Sequence, residues 1–544
     1  MTFTWALCRL FSSILHSTPL ISIDAPGSRE SDHNMSCLDA GCAGSCDKGL
    51  SYVPCLQLLL TVWAGHVTSI NILPDDVLLL IFHCDGLEDS TDLGRSLSWH
   101  RLIHVCKRWR TIVFGSPNFL DLRLVCGPCT THVENIGIWP PFPIVMKDHI
   151  YLSNPKDYDF NVLVHIAIAH RSRVCEINLA NLTSSQLRRL TPAMQETFPA
   201  LKHLCLGWDD DLIDDSPAPV LPDGFLGGSA PLLRSLKLSC NLFPVFPQLL
   251  LSTTDLVELE LWDISYSELI SPEEIVINLA LLVNLKSFTI GFESPPPHLD
   301  LESRHPPPLT RSTLPTLTYL EIGGTSKYLE NFLVRIDAPL LNAIHIKFFD
   351  QPIFNNQQLS QFIGRTPKLK TFEEAHISCF NSTVTVELDP RSSKFIKLEF
   401  SCIGSDLEPS LLMSSLPPLP TVERLYFDIA GLTPIFEDHW CIKNTQWFEL
   451  SHSFTALKEL HFVSKKFTST IMPMLQAIVG ERVTEVLPAL RNIFLPEFEL
   501  SGPIQEAIQQ LVTARQLSGH PLTFHMSTLE KNHSKGVSVA IPIN

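Results

Sequence analysis

The chain lacks the local signatures that most often announce catalysis. No glycine-rich phosphate loop closes on a lysine, no His-Glu-x-x-His places two imidazoles on one helix face, and no Gly-x-Ser-x-Gly forms a nucleophile elbow. Positive charge is scarce: 40 Lys and Arg face 57 Asp and Glu, a net charge of −17 with histidine neutral. That balance argues against a duplex-binding protein, whose phosphate contacts need a basic patch. Long apolar runs are missing as well. The run at residues 5–15 is interrupted by Arg9, that at 56–63 is shorter still, and neither reaches the roughly 18 residues of a membrane span. No positive residues precede the first run, as they would in a secretory signal. Cysteines number 15, odd and without a recurring spacing, so reduced and mostly buried thiols are expected rather than a disulfide framework. The sequons at Asn34, Asn181 and Asn381 have meaning only on the secretory route. Charged residues make up 18% against 45% hydrophobic, which leaves ample material for a core.

What is present is a repeated pattern. Eleven stretches read as an apolar residue, two others, an apolar residue, one other, an apolar residue. The series opens with Val174/Ile177/Leu179, Leu201/Leu204/Leu206, Leu233/Leu236/Leu238 and Leu256/Leu259/Leu261. It continues through Leu285/Phe288/Ile290, Leu317/Leu320/Ile322 and Leu341/Ile344/Ile346. Phe395/Leu398/Phe400, Val422/Leu425/Phe427, Leu457/Leu460/Phe462 and Leu490/Ile493/Leu495 complete it, with a degenerate copy at Leu369/Phe372 in the widest gap. First anchors fall 23 to 35 residues apart, room for one strand and a return segment. The last two apolar positions lie two apart, so a strand puts them on one face and the residue between them on the other. The expected architecture is α/β, a solenoid whose parallel strands stack on the concave side, each unit burying its apolar edge against the next.

Positions flanking the second anchor should face the concave solvent. Among them Tyr319, Arg424, Tyr426 and Phe494 are chemically suited to anchor a partner protein. The acidic stretch 209–215 and the proline-rich stretch 295–308 read as inserts outside the ladder. After Gly502-Pro503, the spacing of Ile504, Ile508, Leu511 and Val512 predicts an amphipathic helix, and 522–524 a last short strand, which together would cap the array.

Ahead of the repeats, Pro74 followed by Asp75 and Asp76 reads as a helix start, with fixed φ and negative charge where the helix dipole favours it. Val77, Leu78, Ile81 and Phe82 share one side, and Leu79 and Leu80 widen the stripe until the helix is apolar nearly all round. Such a helix must bury two faces, one in its own domain and one against a partner. A second periodic run holds Trp99, Leu102, Ile103, Cys106, Trp109 and Arg110, and Gly115-Ser116-Pro117 should stop it. A core this small gains from docking.

These residues carry a resemblance. Leu73-Pro74-Asp75-Asp76-Val77-Leu78 with Ile81-Phe82, then Val105-Cys106-Lys107-Arg108-Trp109-Arg110, then Ser116-Pro117, is similar to the F-box. Phe119 stands where that family usually has a tryptophan, and the loop at 85–97 is longer and more polar than usual. With the repeats behind it, the chain resembles fungal F-box proteins with leucine-rich repeats. The resemblance implies a small all-helical F-box-like domain that docks on the adaptor Skp1 and, through it, a cullin–RING ubiquitin ligase. It implies Skp1 contacts from Leu73, Pro74, Val77, Leu78, Ile81, Phe82, Val105, Cys106 and Trp109. It further implies a leucine-rich-repeat solenoid that holds a substrate protein, in the cytoplasm or nucleus.

The expected organisation is a tail at 1–68, the F-box-like domain at 69–125, a linker and solenoid start at 126–170, the solenoid at 171–500, and a capping helix and tail at 501–544. No catalytic residue, cofactor, metal, nucleic acid or membrane is expected. One enzyme-like motif competes. Cys126-Gly127-Pro128-Cys129 has the spacing of a dithiol that exchanges disulfides, and with His132 it offers three zinc-type ligands. The residues after it are weakly helical at best and no fourth ligand is evident, so a linker is the expectation. Cys37, Cys42 and Cys46 likewise read as part of a tail. Two further readings stay open: a repeat scaffold unrelated to ubiquitin transfer, and a helical hairpin that merely caps the solenoid.

Overall fold

The computed structural model describes residues 73–88, 99–127, 136–137, 139–148, 160–208, 221–222, 224–239, 249–250, 252–264, 271–292, 311–349, 356–380, 383–401, 419–429, 453–463, 486–496, 502–527 and 539–540. The expected tail at 1–68, the inserts at 209–215 and 295–308, most of the loop at 85–97, Cys129, His132, Asn34 and Asn381 lie outside them. Two compact units divide at Val125 and Cys126.

The first unit is helical. Helix α1 spans Asp75–Glu88, with Asp75 and Asp76 in its first turn and the Leu78 N–H bonded to the Pro74 carbonyl at 3.1 Å. The run expected as one helix from Trp99 is two pieces, residues 99–103 and helix α2, Lys107–Gly115. Cys106 breaks it. Its backbone is extended (φ −159°, ψ 169°), and its Sγ accepts the Trp109 N–H at 3.5 Å, so the cysteine caps α2. Helix α2 ends at Gly115, with the Ser116 N–H returning to Val113. Phe82 on α1 meets Trp109 on α2 at a ring separation of 4.7 Å. Leu78, Trp99, Ile103, Ile112 and Val113 complete the buried set. Outside it, Arg108 forks onto Asp75 Oδ1 (2.8 and 2.6 Å) and also donates to the Leu73 carbonyl, tying α2 to the start of α1.

The second unit is a sheet built one strand per repeat. Strands β1 (Ile144–Lys147), β2 (Val174–Leu182), β3 (His203–Trp208), β4 (Ser235–Ser239), β5 (Glu258–Ile264), β6 (Ser287–Phe292), β7 (Tyr319–Gly324) and β8 (Ala343–Phe348) pair parallel in chain order. A turn precedes most strands. The first anchor's N–H returns to the carbonyl three residues back, as in Leu201 to Phe198, Leu233 to Ala230, Leu341 to Ala338 and Leu490 to Leu487, and a proline fills the second turn position in each. The residue after that anchor then offers its carbonyl to two N–H groups of the next repeat: Lys202 to Arg234 and Ser235, Arg234 to Val257 and Glu258. These bonds set the register, and the register places Leu204, Leu236, Leu259 and Leu425 inside at 2% exposure or less.

The expected all-parallel order fails in the middle of the sheet. Strands β9 (Glu374–Phe380), β10 (Thr383–Leu388) and β11 (Phe395–Ser401) form an antiparallel meander, and it is β11, not β9, that pairs with β8. The spatial order is therefore β8-β11-β10-β9-β12, with β12 (Arg424–Ile429) parallel to β9. The cause is local: Thr383, Val384, Thr385, Val386, Glu387 and Leu388 alternate polar and apolar, and a short link from β9 favours a hairpin over a helical crossover. One anchor changes face in consequence. Ile396 is buried in register with Ile344, while Phe395 turns to the other face beside Tyr319.

Parallel pairing resumes through β13 (Glu459–Phe462), β14 (Asn492–Pro496) and β15 (Thr523–Ser527), and β16 (Val539–Ala540) closes antiparallel. Helices α3 (Phe160–Ala169), α4 (Ser184–Leu190), α5 (Pro272–Leu281), α6 (Ser326–Arg335) and α7 (Asn356–Arg365) are the described helical return segments. Three start on polar caps: Thr183 and Gln186 form a capping box, Ser271 caps α5 ahead of Pro272, and Thr325 caps α6. Phe332 on α6 stacks on Phe288 of β6 at 6.2 Å. Helix α8, Gly502–Leu517, buries Ala507, Ile508 and Leu511 ahead of β15. Arg515 on α8 is fully buried and donates to the Val486 and Leu487 carbonyls at 2.6 and 3.1 Å. Among the described residues no helix is long and apolar enough to cross a membrane.

Candidate protein-interaction surfaces

Opposite the buried leucines, each strand contributes a residue in register with those of its neighbours. Register aligns these into one row. In spatial order it reads Asn178, Cys205, Lys237, Glu260, Thr289, Glu321, His345, then Lys397, Glu387, His376, Tyr426, His461, Phe494 and His525. The row is charged in its middle and aromatic at its C-terminal end.

The aromatic end is a continuous stack. Centroid separations are 4.4 Å for His376–Tyr426, 4.4 Å for Tyr426–His461, 4.1 Å for His461–Phe494 and 4.7 Å for Phe494–His525. Interplanar angles run from 2° to 19°. Strand spacing in a sheet matches ring stacking, so identical register alone assembles the ladder. Nε2 of each histidine faces a polar partner on one side: Glu374 at 3.8 Å for His376, Glu459 at 3.3 Å for His461, Asn492 at 3.3 Å for His525. Burial holds His376 and His461 below the ordinary histidine value and pushes Tyr426 up.

The charged middle is a closed network. Glu321 accepts from the Tyr319 hydroxyl at 2.7 Å and lies 2.9 Å from His345 Nδ1 and 3.0 Å from Lys347 Nζ. His345 Nε2 lies 2.7 Å from Glu399. With a carboxylate on each ring nitrogen, His345 is a double donor and therefore cationic. Burial alone would raise the Glu321 carboxyl, but the hydrogen bonds from His345, Tyr319 and Lys347 prevail and hold it at about 2. Burial alone would lower His345, and its two carboxylates raise it instead. Lys347 also sits 4.8 Å from the Trp262 ring, which lies against Gly291.

This network makes stability depend on pH. Glu321 stabilises the fold above its ordinary value of 4.5, and that contribution disappears as pH falls towards 2. His345 stabilises fully below its ordinary value of 6.5, and its contribution is lost as pH rises through the raised folded value. The network is therefore worth most between pH 4.5 and 6.5. Thermal unfolding across pH is expected to show His345→Gln flattening the alkaline limb and Glu321→Gln the acid limb. Unchanged limbs in both variants would refute the network.

The four expected binding residues are thus separated into different environments. Tyr426 and Phe494 are ladder rungs, next but one to each other. Arg424 neighbours Tyr426's row but is engaged by Glu374 at 3.0 Å and Glu373 at 3.7 Å. Tyr319 belongs to the charged network, its hydroxyl driven up by burial and Glu321. Several flanking positions expected to face solvent are instead buried, among them Ser235, Thr289, Glu321 and His345. Two rungs escaped the sequence reading. His376 follows the degenerate copy, and His525 falls one residue beyond the expected last strand. Their signal was the apolar-x-apolar setting of Ala375-His376-Ile377 and Phe524-His525-Met526.

In the helical unit the nine expected docking residues divide by burial. Leu78, Phe82 and Trp109 are core. Pro74 and Val105 are exposed, and Leu73, Val77, Ile81 and Cys106 are half-buried. Cys126 is buried and its thiol pushed up to about 11 by that burial, the reverse of an activated thiolate. Among the described residues no cluster of His, Cys, Asp and Glu is arranged to hold a metal ion.

A family model described as F-box-like matches residues 70–118, the helical module. No curated protein matches the chain. A structural match is the leucine-rich repeat-containing protein LegL7 from Legionella pneumophila, 14% identical, covering 72% of this chain and 96% of that one with a TM-score of 0.25. F-box-like domains are non-catalytic adaptor modules, and the match covers this part of the chain.

Proposed function

We propose that the chain is a substrate-recognition adaptor of a Skp1–cullin–F-box ubiquitin ligase, working in the cytoplasm or nucleus. The F-box-like match over the helical module carries the reading. Skp1 binds the surface formed by Leu73, Pro74, Val77, Ile81, Val105 and Cys106, while Leu78, Phe82 and Trp109 hold that surface in shape. The open face of the sheet holds the target protein. The chain supplies no acid, base or nucleophile; by tethering a target lysine near a charged ubiquitin carrier it raises their effective concentration. Capture of the full chain by purified Skp1 tests the reading. Absence of capture overturns it and leaves a repeat scaffold unrelated to ubiquitin transfer.

A further inference from the structure

The ladder lies in an unbalanced electrostatic setting. On one side of the ring row, Arg424 faces Glu374 and Glu373, and Arg391 lies near enough to act on His376 and Tyr426. Further along that side, Glu459 has as its partner His461, which burial keeps below the ordinary histidine value. Lys458 is taken by Glu423 at 2.6 Å. At the ladder's end Lys397 lies 3.7 Å from both Glu387 and Glu399. On the other side of the row, Asp428 follows Tyr426 by two residues on the same face, about 7 Å along the strand. Asp428 is half-buried, burial pushes its carboxyl up, and among the described residues it has no hydrogen-bond or ion-pair partner.

A half-buried carboxylate without a cation has lost hydration and gained nothing in return. A cation brought by a partner recovers that loss, so such a group marks where complementary charge is worth most. The five rings of the ladder are already stacked. Their ordering is complete before binding, and they present edges along which the apolar stem of a long basic side chain can lie.

We propose that the ladder face takes a basic segment of a partner polypeptide, its Lys or Arg side chains lying across Tyr426, His461 and Phe494 to reach Asp428 and Glu459. This rests on the open face being the target face, and names the chemistry of the target there. The test is fluorescence anisotropy of the full chain with a labelled Arg-Gly repeat peptide and its Glu-Gly counterpart. The Arg-Gly peptide is expected to bind, more weakly as salt rises, and the Glu-Gly peptide not to bind. Asp428→Asn should lower affinity for the Arg-Gly peptide by about tenfold. Glu273→Gln, an equal loss of charge on exposed α5, should leave it unchanged. Equal binding of both peptides, equal affinity for Asp428→Asn and the parent, or an equal loss in Glu273→Gln would overturn the proposal. Skp1 capture in the same variants separates the two readings. Capture without Arg-Gly binding removes this proposal alone, and Arg-Gly binding without capture removes the adaptor reading alone.

Discussion

A charge placed at Val105 or Ile81 is expected to abolish capture by Skp1 while leaving the helical unit folded. Val105 is 43% exposed and sits in the break between residues 99–103 and α2, away from the Phe82–Trp109 contact. Ile81 is half-buried on α1, beside Phe82 but turned from it. Aspartate at either position, stranded in an apolar interface, should weaken binding by about a hundredfold, near 3 kcal/mol. Trp109→Ala should also abolish capture, but for another reason. Trp109 is 5% exposed and central to a very small core, so truncation costs about 3–5 kcal/mol and unfolds the unit. Capture assays paired with circular dichroism separate the two. Val105→Asp and Ile81→Asp should keep the helical signal of the parent, and Trp109→Ala should lose part of it. Val105→Asp that still binds Skp1 with parental affinity would remove Val105 from the docking surface.

Gly207→Ala is expected to be among the most damaging single-methyl changes in the sheet. A Cβ there would lie 2.2 Å from the Ala180 carbonyl oxygen and 2.9 Å from its carbon, both backbone atoms with no rotamer to relieve them. The close approach arises because the pairing of β2 with β3 shifts register between Leu179 and Leu182, which pushes Ala180 against the neighbouring strand. Only a residue without Cβ fits beside it. The substitution should lower stability by about 3 kcal/mol, seen as a lower denaturant midpoint. Gly364→Ala is the opposite case. Gly364 is exposed on α7 with nothing within 4 Å of an added Cβ, so alanine should raise stability by up to about 1 kcal/mol. Parental stability in Gly207→Ala would mean that the bulged approach of the two strands is wrong.

Much of the sheet was legible because its spacing repeats a physical unit. Leu204, Leu236 and Leu259 are buried in one register row, and Leu206, Leu238 and Leu261 in the next, as period-two alternation demands. The turn that starts several strands was legible too, in Pro199, Pro231, Pro339 and Pro488 each two residues before an anchor, though the leucines alone drew the reading. The meander was not. Between Leu369 and Val422 the spacing of 26 and 27 residues fits two ordinary repeats, and nothing in it shows that β9 has exchanged places with β11. Strand order is a choice between long-range pairings of nearly equal local quality, and only the whole sheet selects one.

The helical module shows the same division. Its helix starts, the stop at Gly115 and the apolar stripe are properties of neighbouring residues, so they were readable along the chain. That Cys106 caps α2 instead of continuing it, and that Leu78, Phe82 and Trp109 face inward while Val105 does not, depends on how two helices meet.

By itself, then, the sequence determined which residues are apolar at which period, and hence the repeat, its buried face and the helical segment ahead of it. The tertiary structure alone decided the exchanged order of β9, β10 and β11. From that order and the register came the stack of His376, Tyr426, His461, Phe494 and His525, and the enclosure of His345 between Glu321 and Glu399. The physical reason is distance: periodicity acts between residues a few positions apart, whereas rings and charges on different strands meet across dozens of residues once hydrogen bonding has fixed the register.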